Sequence, residues 1–220
     1  MNKELLALYF ICGSQDCPNG NLLATLEKAL EAGISLYQFR EKGNGAKDGI
    51  EKRNLALAAQ KLCQSYGVPF IINDDIDLAI ELDADGIHIG QDDMPLEQAR
   101  KLFPDKIIGL SINNMTEFHH SQLNLVNYVG LGPYKATISK ADAKTPTGLS
   151  LIQGVREVDK ALPIVAIGGI QEEDVEAIIA NGADGIAVIS AISRSQDISK
   201  TSRSLKEEVE KHLAEKIENS

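Results

Sequence analysis

The sequence predicts an α/β protein, a single-domain (β/α)8 barrel of the TIM type over residues 1–220, on three observations. Short apolar runs rich in Ile and Val recur along the chain, each long enough for one strand buried on both faces. Between them, apolar residues repeat at helical spacing. Three strands end in a burst of charge: Leu36 to Phe39 runs into Arg40-Glu41-Lys42, Phe70 to Ile72 into Asn73-Asp74-Asp75, and Gly86 to Ile89 into Gly90-Gln91-Asp92-Asp93. In parallel α/β sheets the rim beyond the strand C-termini is where ligands bind.

Taken in order, strands are expected at 5–11, 34–39, 69–72, 86–89, 106–110, 126–130, 163–167 and 185–189. Helices lie between them. Leu55, Ala59, Leu62 and Tyr66 share a helical stripe, as do Val175, Ile178 and Ile179, and the last helix repeats Leu205, Val209, Leu213 and Ile217. Ala32-Gly33, Tyr66-Gly67 and Asn181-Gly182 place glycine where a left-handed helix cap is wanted. The phrase Ala-Asp-Gly-Ile occurs at Ala84 to Ile87 and again at Ala183 to Ile186, each time between a helix and a strand. Eight such strand–helix pairs in this length fit a closed barrel. A doubly wound open sheet competes, although no Gly-x-Gly-x-x-Gly follows the first strand to support its dinucleotide-binding version. No change of composition or linker marks a second domain.

Composition narrows the function classes. A net charge of −10 argues against sequence-independent nucleic-acid binding, which needs Lys and Arg to neutralise phosphates. A local cationic pocket for a small anionic substrate remains allowed. Cys12, Cys17 and Cys63 form neither a metal-ligand spacing nor a closed disulfide framework, and a reducing cytoplasm is their simplest home. Leu5 to Ile11 could pass for the apolar core of a signal peptide, but Glu4 spoils the positive flank and no clear cleavage site follows, so it reads as a first buried strand. No apolar run approaches the ~20 residues needed to span a membrane. There are no coiled-coil heptads, and a homo-oligomer stays open.

The candidate site residues follow from where the strands end. Gln38, Arg40 and Lys42 alternate, so they share one face of their strand, while Tyr37, Phe39 and Glu41 share the other. Polar side chains on an inner face are costly unless paired with ligand or each other; the plainer alternative is a surface ion-pair cluster with Glu41. Asp74 and Asp93 would stand on adjacent lips, an arrangement suited to Mg2+, which takes one or two carboxylates and completes its shell with water and phosphate oxygens. Asp75 and Asp92 compete for that role, and Asp75 or Asp77 can simply cap the next helix. Asn73 could bond a ring nitrogen or amine, and Ser111 ends the fifth strand on the same rim. The long segment 131–147 carries Thr137, Ser139 and Lys140, two hydroxyls and a cation suited to phosphate. The seventh strand ends in Gly168-Gly169, and the eighth leads through Ile189 and Ser190 into a short helix; these two loops form the recurrent phosphate site of barrels. His88 reads as a packed, hydrogen-bonded core residue, and no Ser/His/Asp or Cys/His set can be argued from spacing.

Together, Tyr37 to Lys42, Ile72 to Asp75, Gly86 to Gln91, Tyr128 to Pro133 with Thr137 to Asp142, and Ile167 to Ile170 resemble the thiamine-phosphate synthase family, from about residue 8 to 193. The resemblance implies a (β/α)8 barrel that joins a hydroxymethylpyrimidine diphosphate to a thiazole phosphate, or its carboxylated form, with Mg2+ as cofactor and pyrophosphate released. Carried over by position, it assigns the pyrimidine and its diphosphate to Gln38, Arg40, Lys42, Asn73, Ser111 and Lys140, of which Arg40, Lys42, Ser111 and Lys140 form the catalytic set. It assigns Mg2+ to Asp74 and Asp93. The thiazole phosphate goes to Thr137, Ser139, Gly169 and the backbone of Ile189 and Ser190, and Gly168, paired with Gly169, is taken as substrate-binding with them. The family commonly has Thr-x-Thr-Lys where this chain has Thr137-Ile138-Ser139-Lys140; serine keeps the hydroxyl. The implied chemistry is dissociative and demands no general base. A paralogous thiazole tautomerase, a non-catalytic phosphate-ligand-binding barrel and a sugar-phosphate isomerase or aldolase are the competing readings.

Overall fold

The computed structural model describes residues 1–136 and 144–218, leaving aside the side chains of Asn19 and Ile217. Its strands are β1 (Leu8–Cys12), β2 (Leu36–Phe39), β3 (Phe70–Asn73), β4 (Gly86–Ile89), β5 (Ile107–Ile112), β6 (Tyr128–Leu131), β7 (Ile164–Ile167) and β8 (Gly185–Val188). Each pairs in parallel with the next, and β8 returns to β1 through Leu8↔Ile186, Tyr9↔Ala187 and Phe10↔Val188. That last pairing closes the sheet and rules out the open architecture.

The helices are α1 (Leu22–Glu31), α2 (Gly49–Tyr66), α3 (Ile76–Glu81), α4 (Leu96–Leu102), α5 (Met115–His120), α6 (Ser150–Val158), α7 (Val175–Ala180), α8 (Ser190–Ser193) and α9 (Ile198–Glu218). No helix among the described residues is long and apolar enough to cross a membrane. Apolar side chains divide between two layers. Tyr9, Ile11, Leu36, Ile71, Tyr128 and Val165 pack inside the barrel, while Leu26, Ala59, Ile178 and Val209 belong to the shell between strands and helices.

Two local expectations shift, and the expected glycine caps hold. Residues 5–7 are not strand: Lys3–Leu6 form a 3-10 turn capped by Asn2, whose side chain accepts from Glu4 N, and this delivers Leu6 into the inner layer. In α2 the buried stripe is Ala56, Ala59, Gln60 and Cys63, rotated from the expected one, and Tyr66 is exposed. Gly33, Gly67 and Gly182 all take positive φ, as the caps require.

The repeated Ala-Asp-Gly-Ile has a structural cause at the N-terminal rim. Asp85 Oδ2 accepts from Phe70 N at 2.8 Å, and Asp184 Oδ2 accepts from Ile164 N at 2.9 Å, so each aspartate satisfies the first N–H of the preceding strand. The glycine after it is required by crowding. A Cβ on Gly86 would lie 2.2 Å from Ile107 O, and one on Gly185 1.8 Å from Leu6 O.

Candidate active site

The opposite, C-terminal rim opens on a cavity of about 390 Å3. Arg40, Lys42, Asn73, Asp74, Asp93 and Ser111 stand on its wall, and Gly168, Gly169, Ile189 and Ser190 complete the far side. These expected residues are thus brought together from six strands. Gln38 is not on the wall: it is 1 % exposed and points into the barrel. Thr137, Ser139 and Lys140 lie outside the described residues.

Arg40 and Lys42 follow the end of β2 at Phe39 and sit in the mouth rather than on the strand. Lys42 Nζ lies 2.6 Å from Asp74 Oδ2, so Lys42 pairs across the cavity and not with Glu41. Glu41 turns away, is buried, and accepts from Ser14 and Lys47 instead. Asp74 has φ +60, a left-handed conformation uncommon outside glycine. Its N–H donates to His88 O at 3.0 Å, which anchors the turn to the neighbouring strand. Asp75 caps α3, accepting from Leu78 N at 3.1 Å, and pairs with Lys52 at 2.5 Å. Asp74 thus faces the cavity, while Asp75 is engaged at the helix end.

Asp93 reaches back to accept from Gly90 N at 2.6 Å, while Asp92 also lines the cavity. The Asp74 and Asp93 carboxyls are within hydrogen-bonding reach of one another. Burial works to raise Asp74, but hydrogen bonds from Lys42 and Asp93 outweigh it and hold Asp74 below the usual carboxylate range. Asp93 moves the other way, raised by burial and then by the charge of Asp74. Two converging carboxyls that compete for one proton are hard oxygen donors of the kind that Mg2+ takes. Among the described residues no third His, Cys, Asp or Glu joins a metal-holding group. The donor set therefore fits an ion that draws its remaining ligands from water and substrate oxygens.

The glycine pair does more than expose amides. Gly168 and Gly169 have φ +104 and +65, and a Cβ on either would strike the segment after β6, at Pro133 for the first and Lys135 or Ala136 for the second. That segment is laced on by Tyr134 N to Ile167 O at 2.8 Å and Lys135 N to Gly168 O at 2.9 Å. The glycines thus leave room for residues 133–136 to pack against the end of β7.

Sequence reading missed several wall residues. His88 is buried as expected, yet its ring also borders the cavity and bonds to Ser111. Asn113 and Glu117 line the wall and bond each other, and Lys144 faces it from the far end of the β6 loop. The Asn-Asn pair closing β5 followed by Glu at helical spacing was the available signal for the first two.

The fold and this rim define a (β/α)8-barrel protein whose C-terminal cleft combines cations, paired carboxyls and glycine-rich loops, as for phosphorylated small molecules. A family model described as thiamine monophosphate synthase matches residues 8–192. The chain is 53% identical to a thiamine-phosphate synthase of Streptococcus agalactiae over 218 residues, 99% of this chain and 98% of that one. It is 54% identical to one from Staphylococcus haemolyticus, covering 93% and 97%. Among solved structures, a thiamine phosphate pyrophosphorylase from Pyrococcus furiosus superposes with TM-score 0.85 at 31% identity, covering 96% and 98%. The chain belongs to the thiamine monophosphate synthase family.

Proposed function

We propose that this chain condenses a hydroxymethylpyrimidine diphosphate with a thiazole phosphate, giving thiamine phosphate and pyrophosphate. The carrying observation is the convergence of Arg40, Lys42, Asp74 and Asp93 on one cavity, in a chain with this family membership. In the reaction the bond from the pyrimidine methylene carbon to the diphosphate oxygen breaks, and its electron pair leaves with pyrophosphate. The thiazole nitrogen then gives its lone pair to that carbon.

Arg40 and Lys42, with Lys140 from the β6 loop, offset the charge that develops on the leaving group. Asn73 and Gln38 orient the pyrimidine, Gln38 from within the barrel. Ser111 meets the same substrate from β5. Gly168, Gly169 and the backbone of Ile189 and Ser190 receive the thiazole phosphate and hold the ring nitrogen in line, and the family resemblance assigns Thr137 and Ser139 to the same phosphate. Asp74 and Asp93 would hold Mg2+, which when bound neutralises charge on the diphosphate. No side chain is asked to remove a proton from carbon, so none of the histidines needs to act as a base. Free cysteines at all three positions suit a reducing, cytoplasmic setting.

The test is pyrophosphate release from purified protein given both substrates, with Mg2+ and with chelator. Release that needs both substrates and the metal, in step with thiamine phosphate, supports the reading. Absence of release from folded protein, with isomerisation of the thiazole alone, would replace it with the tautomerase.

A further inference from the structure

Four hydrogen bonds cross the barrel interior beneath the cavity. Gln38 Nε2 donates to Tyr9 Oη at 2.6 Å, and Tyr9 Oη lies 2.8 Å from Tyr128 Oη. Tyr128 Oη lies 2.9 Å from His88 Nδ1, and His88 Nε2 lies 2.8 Å from Ser111 Oγ. Four of the five side chains are buried, and Ser111 carries the chain to the cavity wall.

Each tyrosine has one hydroxyl hydrogen, so the direction of the whole chain follows from its first member. An amide nitrogen can only donate. Tyr9 Oη therefore accepts from Gln38 and must spend its own hydrogen on Tyr128, and Tyr128 must spend its hydrogen on His88 Nδ1. An imidazole that accepts at Nδ1 carries its proton on Nε2 and donates to Ser111. Ser111 Oγ, already an acceptor, is left to aim its hydrogen into the cavity.

We infer that Tyr9, Tyr128 and His88 are positioning residues that form a one-way hydrogen-bond chain, which fixes the His88 tautomer and presents Ser111 as a donor to an acceptor oxygen of the bound substrate. This rests on the proposed reaction for its consequence in catalysis, but not for its existence. The barrel makes room for the chain specifically. A Cβ on Gly109 would lie 2.3 Å from Tyr128 Oη and 2.5 Å from His88 Nδ1, and one on Gly130 would lie 3.4 Å from His88 Cε1. Gly109, on the strand between those of His88 and Tyr128, thus stands where any side chain would strike the contact, whereas a Cβ at Gly130 would make only ordinary van der Waals contact with the His88 ring. Burial also pushes both tyrosine hydroxyls up, so they remain donors.

An anionic oxygen is what such a donor suits. A neutral donor needs no change of protonation when charge develops opposite it, and its hydrogen is already aimed. A freely rotating serine would lose part of that advantage.

The experiment has two arms. In the first, the full chain is labelled with 15N-histidine, and the His88 ring is read by proton–nitrogen correlation near neutral pH, assigned by its loss in His88→Gln. A neutral ring protonated at Nε2 is expected. A ring protonated at Nδ1, or an imidazolium, overturns the proposal. In the second, kcat and KM are measured. His88→Leu and Tyr128→Phe should lower kcat by about tenfold with smaller changes in KM, whereas His88→Gln, whose amide nitrogen can take the place of Nε2, should stay within about threefold of wild type. Equal losses in His88→Gln and His88→Leu, or wild-type kcat in Tyr128→Phe, would overturn it. An inactive wild type would refute the synthase reading alone, since the tautomer is read without turnover.

Discussion

Ser14 and Glu41, 27 residues apart, are joined twice, by Ser14 N to Oε2 at 2.8 Å and by Ser14 Oγ to Oε1 at 2.5 Å. Oε1 also accepts from Lys47 N at 2.7 Å. One buried carboxylate therefore ties the loop after β1 to both ends of the turn that begins with Arg40 and Lys42. Alternation along the strand places Glu41 on the face away from the cavity, so its service to the site is indirect: it holds the backbone from which its two cationic neighbours project.

Replacing Glu41 with Gln should therefore damage diphosphate binding while leaving the barrel folded. The amide presents hydrogens to groups that are themselves donors, and a hydrogen bond to a charged partner is worth about 1.5–3 kcal/mol. The expected outcome is a rise of about tenfold or more in KM for the pyrimidine diphosphate, with little change for the thiazole phosphate. Steady-state kinetics with each substrate varied in turn checks this. Equal rises for both substrates would mean that Glu41 serves general stability.

Asp74 and Asp93 offer a prediction about metal and pH. Asp93 is raised, by burial and then by its neighbour, while Asp74 is lowered by Lys42 and Asp93 against the effect of burial. As pH falls, Asp93 takes up a proton first, above the ordinary carboxylate range, and Asp74 stays charged beside Lys42. Mg2+ binding must displace that proton, so affinity should weaken as pH falls through the Asp93 titration and proton uptake should accompany metal removal. Calorimetric titration in buffers of different ionisation enthalpy measures both. Asp93→Ala should nearly abolish turnover with the fold intact, and wild-type rates in that variant at limiting Mg2+ would refute the metal assignment.

Gly169→Ala tests the loop clamp. The new methyl group would sit 2.8 Å from Ala136 O at a residue with φ +65, so both the left-handed backbone and the β6 segment resist it. We expect a loss of about 1–2 kcal/mol in unfolding free energy from the backbone alone. A raised KM for the thiazole phosphate should accompany it, and KM for the pyrimidine diphosphate should change less. A variant with unaltered KM for the thiazole phosphate would show that the β6 segment can move aside freely.

The eight strands were legible because each is a short apolar run bounded by glycine or charge, and observed and expected ends differ by at most three residues, at the start of β1. That difference arose because Leu5 and Leu6 are as apolar as a strand, and only the cap at Asn2 shows the chain turning. The charged rim was legible for the same reason as the strands. What the sequence hid were side chains whose roles depend on partners from other strands. Tyr9 and Tyr128 read as apolar strand residues, since a hydroxyl inside a barrel has no sequence signature. Gln38 shares a face with Arg40 and Lys42, yet it lies deeper in the barrel and bonds to Tyr9. Asp74 and Asp75 differ only by a backbone turn that brings one to the cavity and the other to a helix end.

The N-terminal rim carries a second pattern that the sequence shows only in part, and it supports a comparison of two arginines. Arg100 of α4 donates to the carbonyls of Phe103, Pro104, Lys106 and Leu125 and to Asn127 Oδ1. Arg156 of α6 donates to those of Asp159, Lys160, Leu162 and Gly182 and to Asp184 Oδ2. Each wraps the turn after its own helix at the same offsets and then holds the polar residue that precedes an even-numbered strand. The partners differ in charge: Asn127 is neutral, whereas Asp184 is a buried carboxylate that also meets Lys3 Nζ at 3.0 Å. Removing Arg156 takes from that carboxylate its buried cation and leaves it Ile164 N, a half-exposed Lys3 and the nearby charge of Lys216, and loss of one partner from a buried ion pair costs about 3–5 kcal/mol. Removing Arg100 strands carbonyls and one amide, and its cost should be nearer 2–3 kcal/mol. Arg156→Met should thus lose more unfolding free energy in urea than Arg100→Met, and both should keep kcat, because this rim faces away from the cavity. The gap should narrow in Asp184→Asn, which removes the stranded charge while keeping an acceptor for Ile164 N. If Arg100→Met proves as costly as Arg156→Met in that background and outside it, the carboxylate is not what separates the two sites.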